Sequence, residues 1–112
     1  MTEDEAKSRL IARAAEIDEE DRAGAEGREP VTLQQDSVGR LSRMDAMQQQ
    51  AMAKAQERRR AAERTRIAAA LERIEEGEWG YCAGCGDEIA PRRLEHDPSI
   101  ATCLACASGG GA

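Results

Sequence analysis

Phenylalanine is absent from this 112-residue chain, and Trp79 and Tyr81 are its only aromatic residues. Hydrophobic residues make up 40% of the total, but many of them are alanine, which buries little area. A large conventional core is therefore excluded, and a chain of this kind folds with help from a metal, a disulfide or a partner. No apolar run approaches membrane-spanning length, so no spanning helix is expected. Met1 to Leu10 is polar and acidic, with no apolar stretch of the kind a secretory signal needs. A cytoplasmic protein is the expectation.

A positive excess is also missing. The net charge is −6, which argues against a generic grip on nucleic acid, since that requires a basic surface to displace counterions from phosphates. The charge is uneven along the chain. Residues 1–29 carry 10 acids and 5 bases, whereas residues 30–78 carry 8 acids and 9 bases. The acidic first third points to a basic surface on a protein partner.

What the chain does have is helix-forming sequence. Thr2 with Glu5 is a capping-box pair, and Ala6, Leu10, Ala14 and Ile17 make one narrow apolar stripe. A first helix is expected from about residue 3 to the low 20s. Gly24, Gly27 and Pro30 then break the pattern, and the stretch from Gly24 to about Gln35 reads as a connector. Thr32 with Gln35, or Asp36, supplies a cap for a second helix. From about Ser37 to Glu76 there is no proline and only Gly39. A helix of that length reaches roughly 60 Å. Its expected stripe is Leu41, Met44, Ala51, Met52, Ala55, Ala62, Ile67, Ala70, Leu71 and Ile74, interrupted by Arg58, Arg59 and Arg60.

Both stripes need cover. The simplest arrangement is an antiparallel two-helix hairpin in which small alanine side chains let the backbones approach; the plainer alternative is an isolated solvated helix. Gly77 is the expected C-cap. The expected division is an arm over residues 1–78 with its tip near 24–46, a module over 79–107, and a flexible glycine-rich tail over 108–112.

The most specific signal is Cys82-x2-Cys85, then seventeen residues, then Cys103-x2-Cys106. Two thiolates two residues apart in a tight turn can face one ion, and a second such turn completes a tetrahedron. Gly84 and Gly86 flank Cys85 and permit the positive backbone angles such a turn often needs. The same four thiols are compatible with a redox CxxC, with two disulfides, or with an iron site. A redox motif occurs once rather than twice, and disulfides do not suit the expected compartment. A closed zinc site with four cysteine ligands is the preferred reading. It has no open position, so the zinc is structural, one ion per chain, and the protein is not an enzyme.

His96, the only histidine, reads as a surface residue ahead of Pro98 rather than a ligand or base. Trp79, Tyr81, Ile89, Leu94, Ile100 and Leu104 are expected to pack around the metal. Arg92 and Arg93 sit in the loop between the cysteine pairs, solvated or meeting an acidic partner surface.

At these residues the chain resembles the DksA/TraR family of bacterial regulators. The likeness lies in Gly80-Tyr81-Cys82-x2-Cys85-Gly86, in Ile89, in Arg92-Arg93-Leu94-Glu95, in Pro98 and in Cys103-x2-Cys106. A long helix running straight into the first cysteine fits as well. The resemblance implies a monomeric protein that binds RNA polymerase and not DNA. Its coiled-coil arm would enter the secondary channel and modulate initiation, with ppGpp as a candidate co-regulator. The zinc module would sit at the base of the arm, where Arg92 and Arg93 are candidate polymerase contacts. Two departures stand out. The chain has no room for an extra N-terminal region, and its tip lacks the family's Asp-x-x-Asp-x-Ala pattern. Its nearest equivalent is Ser42-Arg43-Met44-Asp45-Ala46. Asp36, Arg40, Arg43, Asp45 and Ala46 are therefore the candidate tip residues. The competing functions are a zinc-ribbon DNA-binding protein, supported by Arg58–Arg60 with Arg64 and Arg66, and a thiol enzyme.

Overall fold

The computed structural model describes residues 1–24 and 40–109, with the side chains of 40–42 excepted. The element order is α1 (Glu3–Ala23), α2 (Arg40–Glu76), α3 (Pro91–His96) and α4 (Leu104–Ala107). Among the described residues there is no strand, only an isolated antiparallel bridge between Tyr81 and Glu88. The architecture is mainly α: two long helices in an antiparallel hairpin, followed by a small four-cysteine module. The connector from residue 25 and the start of the second helix before Arg40 lie outside the described residues, as does Asp36.

α1 begins as its sequence predicts. Thr2 Oγ1 accepts from Glu5 N–H at 3.2 Å, and Glu5 Oε2 accepts from Thr2 N–H at 3.3 Å, so two otherwise orphaned donors are satisfied reciprocally. The other boundary is equally explicit. Gly77, at φ +74°, closes α2 in a Schellman turn. Its N–H donates to Ile74 O at 3.2 Å, and Glu78 N–H donates to Arg73 O at 2.9 Å.

By contacts the chain divides into two compact units. The first joins Met1–Ala15 to Glu63–Ala112. Its core is Ala6, Trp79, Cys82, Ile89 and Leu94, with Ile74, Ile100, Cys103 and Cys106 packed against it. Leu10, Ile67 and Ala70 are also buried in this unit. Arg13 crosses from α1 to α2 as a bidentate pair with Glu63, Nε to Oε2 at 2.7 Å and the second nitrogen to Oε1 at 2.9 Å. The Arg13 hydrogen bond is the main reason the Glu63 carboxyl is held below its ordinary range, with its charge adding to the effect.

The second unit is Glu16–Ala62. Ile17 is fully buried there, and Arg60 Nε lies 2.6 Å from Asp21 Oδ1.

The stripe expected on α1 is the one observed: Ala6, Leu10 and Ile17 are buried and Ala14 is half-buried. α2 differs in part. Besides Ala55, Glu63, Ala69, Ala70 and Arg73, its less exposed positions form a regular row at Ala46, Gln50, Ala53, Glu57, Arg60, Arg64, Ile67, Leu71 and Ile74. Their spacing alternates four and three, the period of a coiled-coil seam. Met44 and Met52 are 51% and 62% exposed, and Ala51 and Ala62 are exposed too. Ala55, Ile67, Ala70, Leu71 and Ile74 of the expected stripe are covered, but the seam is polar through its middle, and there the apolar positions alone miss it. Arg60 thus belongs to the seam, while Arg58 and Arg59 are exposed.

Candidate metal centre

The four cysteines converge from two turns. Cys82 follows the α2 cap. Its N–H donates to Asp87 O at 2.7 Å, and Gly86 N–H donates back to Cys82 O at 2.9 Å, which folds the first pair into a tight turn. Gly86 takes the positive φ expected, +81°. Gly84 does not, and its need is spatial: a Cβ there would lie 3.2 Å from Cys106 Sγ and 3.7 Å from Cys82 Sγ. The second pair spans the start of α4. Cys103 is its N-cap, and its sulfur accepts from Cys106 N–H at 3.5 Å. Ser108 and Gly109 make the turn that closes α4, with N–H bonds to Leu104 O and Cys106 O. The rest of the expected tail, from 110, lies outside the described residues.

The four Sγ atoms lie within 4.8 Å of one another, and Cys85 Sγ is 3.7 Å from Cys103 Sγ. The edge of a tetrahedron with metal–sulfur bonds of about 2.3 Å is about 3.8 Å. A disulfide instead needs about 2.05 Å. The donor set therefore fits a metal ion with four thiolate ligands. Cys82 is buried, Cys103 and Cys106 are intermediate, and Cys85 is exposed.

The sulfurs are not equivalent as acids. Hydrogen bonding from the backbone N–H of Cys103, and then of Cys85, holds Cys82 down at about 6. Its hydrogen bond with Cys82 is the main cause that pushes Cys106 up to about 12. Asp87 N–H pulls Cys85 down, but the Cys82 sulfur and burial together leave it raised. One sulfur is thus poised as a thiolate while its neighbours supply protons to it. Four clustered thiols of this kind exchange those protons for a cation.

Around the sulfurs the expected packing is partly realised. Trp79, Ile89 and Leu94 are buried and Ile100 packs against them. Trp79 also donates its Nε1–H to Pro98 O at 2.9 Å. Tyr81 and Leu104 face outward instead, 48% and 70% exposed. Tyr81 sits in the bridge with Glu88, and Leu104 opens a helix that has no buried residue. Ala6 takes a place in the core from the far end of the sequence, a long-range contact that no local pattern signals.

Arg92 and Arg93 lie on α3, not in a loop. Pro91 pre-sets the first turn of that helix. Arg92 is exposed, whereas Arg93 is half-buried and its Nε donates to Thr102 O at 3.0 Å. His96 is exposed at the end of α3. Of the tip candidates, Arg40 opens α2, Arg43 and Asp45 are exposed, and Ala46 is half-buried. Among the described residues no helix is long and apolar enough to cross a membrane.

Fold and site together define a helical-hairpin protein with a cluster of four cysteines whose geometry fits one metal ion. The RNA polymerase-binding transcription factor DksA of Haemophilus influenzae is 42% identical over 41 residues, 37% of this chain and 28% of that protein. The factor of the same name from Escherichia coli K12 is 42% identical over 41 residues, 37% of this chain and 27% of its own. The match thus spans less than a third of those relatives. The structure of transcription factor DksA2 from Pseudomonas aeruginosa aligns over 96% of this chain and 81% of its own, with a TM-score of 0.75 and 20% identity. No protein-family model matches the sequence. The chain is DksA-like: in sequence over a limited stretch, and in fold over nearly all its length.

Proposed function

We propose that this protein binds RNA polymerase and regulates transcription initiation, its hairpin arm entering the secondary channel. The observation that carries this reading is the alignment of 96% of the chain on a DksA2 structure, joined to a sequence match with proteins named as polymerase-binding factors. In this reading residues 1–78 are the arm, 24–46 its tip and 79–107 the base. Zinc held by Cys82, Cys85, Cys103 and Cys106 cross-links the base. Asp45, exposed on the first turns of α2, is the tip acid, with Arg40, Arg43, Ala46 and Asp36 around it. Arg92 is the exposed member of the arginine pair and the better placed of the two to meet the polymerase. The protein acts as a cytoplasmic monomer, without membrane association or catalysis, and ppGpp is its candidate co-regulator.

The DNA-binding alternative loses support from Arg60, which is engaged by Asp21 and so is not part of an open basic face. The deciding experiment uses zinc-loaded protein and purified bacterial core RNA polymerase, with Asp45→Asn beside wild type. Equal binding with loss of the transcriptional effect in the variant identifies Asp45 as the effector. Equal binding with equal effect keeps the polymerase reading and moves the effector elsewhere. Absence of binding by wild type overturns the reading.

A further inference from the structure

Between the two cysteine pairs the chain presents a run of backbone carbonyls to donors from several parts of its own unit. Arg9 of α1 donates to Glu95 O at 2.7 Å. Trp79 reaches Pro98 O, and Arg73 of α2 lies 3.5 Å from Ser99 O. Ala83 N–H donates to Ala101 O at 2.8 Å, and Arg93 Nε–H to Thr102 O at 3.0 Å.

The last two touch the metal centre most closely. Ala83 lies between Cys82 and Cys85, and Thr102 directly precedes Cys103. These bonds matter because, beyond the packing of Cys103 and Cys106 against the core, the second cysteine turn has few side chains to hold it. α4 has no buried residue, and its only large apolar side chain, Leu104, is 70% exposed. The place of Cys103 and Cys106 relative to the first pair therefore depends strongly on what grips the residues just before them. Arg93 is suited to that task. Its own side chain is half-buried, and it follows directly on the turn that Pro91 pre-sets. Its rigid planar fork aims at one carbonyl more sharply than a flexible ammonium does.

We infer that Arg93 is a positioning residue of the metal centre: it fixes the second cysteine turn so that four sulfurs meet one ion. The inference rests on the reading of the four cysteines as a metal site. It separates two neighbouring arginines that the sequence makes look alike. Arg93 points inward to the site, and Arg92 outward.

The test uses the full chain, stripped of metal under reducing conditions and titrated with Co²⁺. Absorption reads the ligand geometry, and competition between Zn²⁺ and a chromophoric chelator reads the affinity. Wild type gives the spectrum of a tetrahedral four-thiolate site. Arg93→Ala is expected to bind about ten-fold more weakly, the lower end for residues that orient ligands from outside the ligand set, with an altered cobalt band. Arg93→Lys, which keeps the charge and guards against a variant that fails to fold, falls between the two. Arg92→Ala matches wild type. A merely structural role would lower the melting temperature of the metal-free protein and leave the cobalt band in place; that result overturns the proposal. So does equal loss in Arg92→Ala, or no loss in either Arg93 variant. Failure of wild type to take up either metal overturns the metal-site reading itself, a failure visible before any variant is made.

Discussion

Replacing Ile17 by alanine is the sharpest probe of the arm. Ile17 is fully buried, whereas Ile11, of the same residue type on the same helix, is 52% exposed. Truncating a buried isoleucine costs about 2–5 kcal/mol, from lost transfer free energy plus the cavity left behind. The seam around Ile17 is thin, and its walls can partly collapse, so the low end applies, about 2–3 kcal/mol. For a chain of this length the entropy of unfolding near the midpoint is about 0.24 kcal/mol per degree, so the expected fall in Tm is about 10 °C. Ile11→Ala removes side-chain area that is already half in water, and surface changes of this sort stay within about 0.5 kcal/mol, or about 2 °C. The assay is thermal melting of metal-loaded protein followed by circular dichroism at 222 nm, with both variants beside wild type. Equal shifts for the two variants would refute the burial assignment and, with it, the register of α1 on α2. An Ile11→Ala loss larger than that of Ile17→Ala would show that the opposite face of α1 is the covered one.

Two further outcomes concern the first unit. The Arg13 pair depresses the Glu63 carboxyl below its ordinary value of 4.5, so its stabilisation is present above that value and is lost as pH falls through the lower folded one. Both partners retain some solvent exposure, 35% and 27%, so Glu63→Gln should cost only about 1 kcal/mol at neutral pH. The variant should also show a shallower loss of stability on acidification than wild type, and identical acid titrations would contradict the pairing. Trp79→Phe removes the donor to Pro98 O and strands a buried carbonyl, for an expected loss of about 1–3 kcal/mol. Denaturant titration of the metal-loaded protein checks it, a midpoint unchanged from wild type being the adverse result.

How much of the fold and the metal centre was readable in the sequence depended on how local the determinants were. The capping box at Thr2 and Glu5, the glycine stop at Gly77 and the paired CxxC turns are each decided within a few residues, and each appears where expected. α1 was legible because Ala6, Leu10 and Ile17 mark their own face. α2 was legible only toward its C-terminal end, at Ile67, Ala70, Leu71 and Ile74, because upstream Gln50, Glu57, Arg60 and Arg64 occupy seam positions that apolar counting passes over. Their long stems can line a helix pair while their ends find partners, as Arg60 does with Asp21. Inside the module, Tyr81 and Leu104 looked like core by residue type, but their elements turn them outward. Arg92 and Arg93 are indistinguishable as letters. Only the start of α3 at Pro91 fixes which of them can reach Thr102.

The first unit is assembled from both sides of the chain, with a consequence for its synthesis. Arg9 meets Glu95 across 86 residues, and Ala6 packs in the same core as Leu94. At about 5–20 residues per second, translation separates these partners by roughly 4–17 s. For much of that interval α1 has left the ribosome with Ala6 and Leu10 uncovered, its thin stripe the main apolar surface it exposes. A nascent helix this polar offers chaperones and other chains little to seize. The scarcity of large apolar side chains, a handicap for the finished core, is thus an advantage while the chain waits for its own second half.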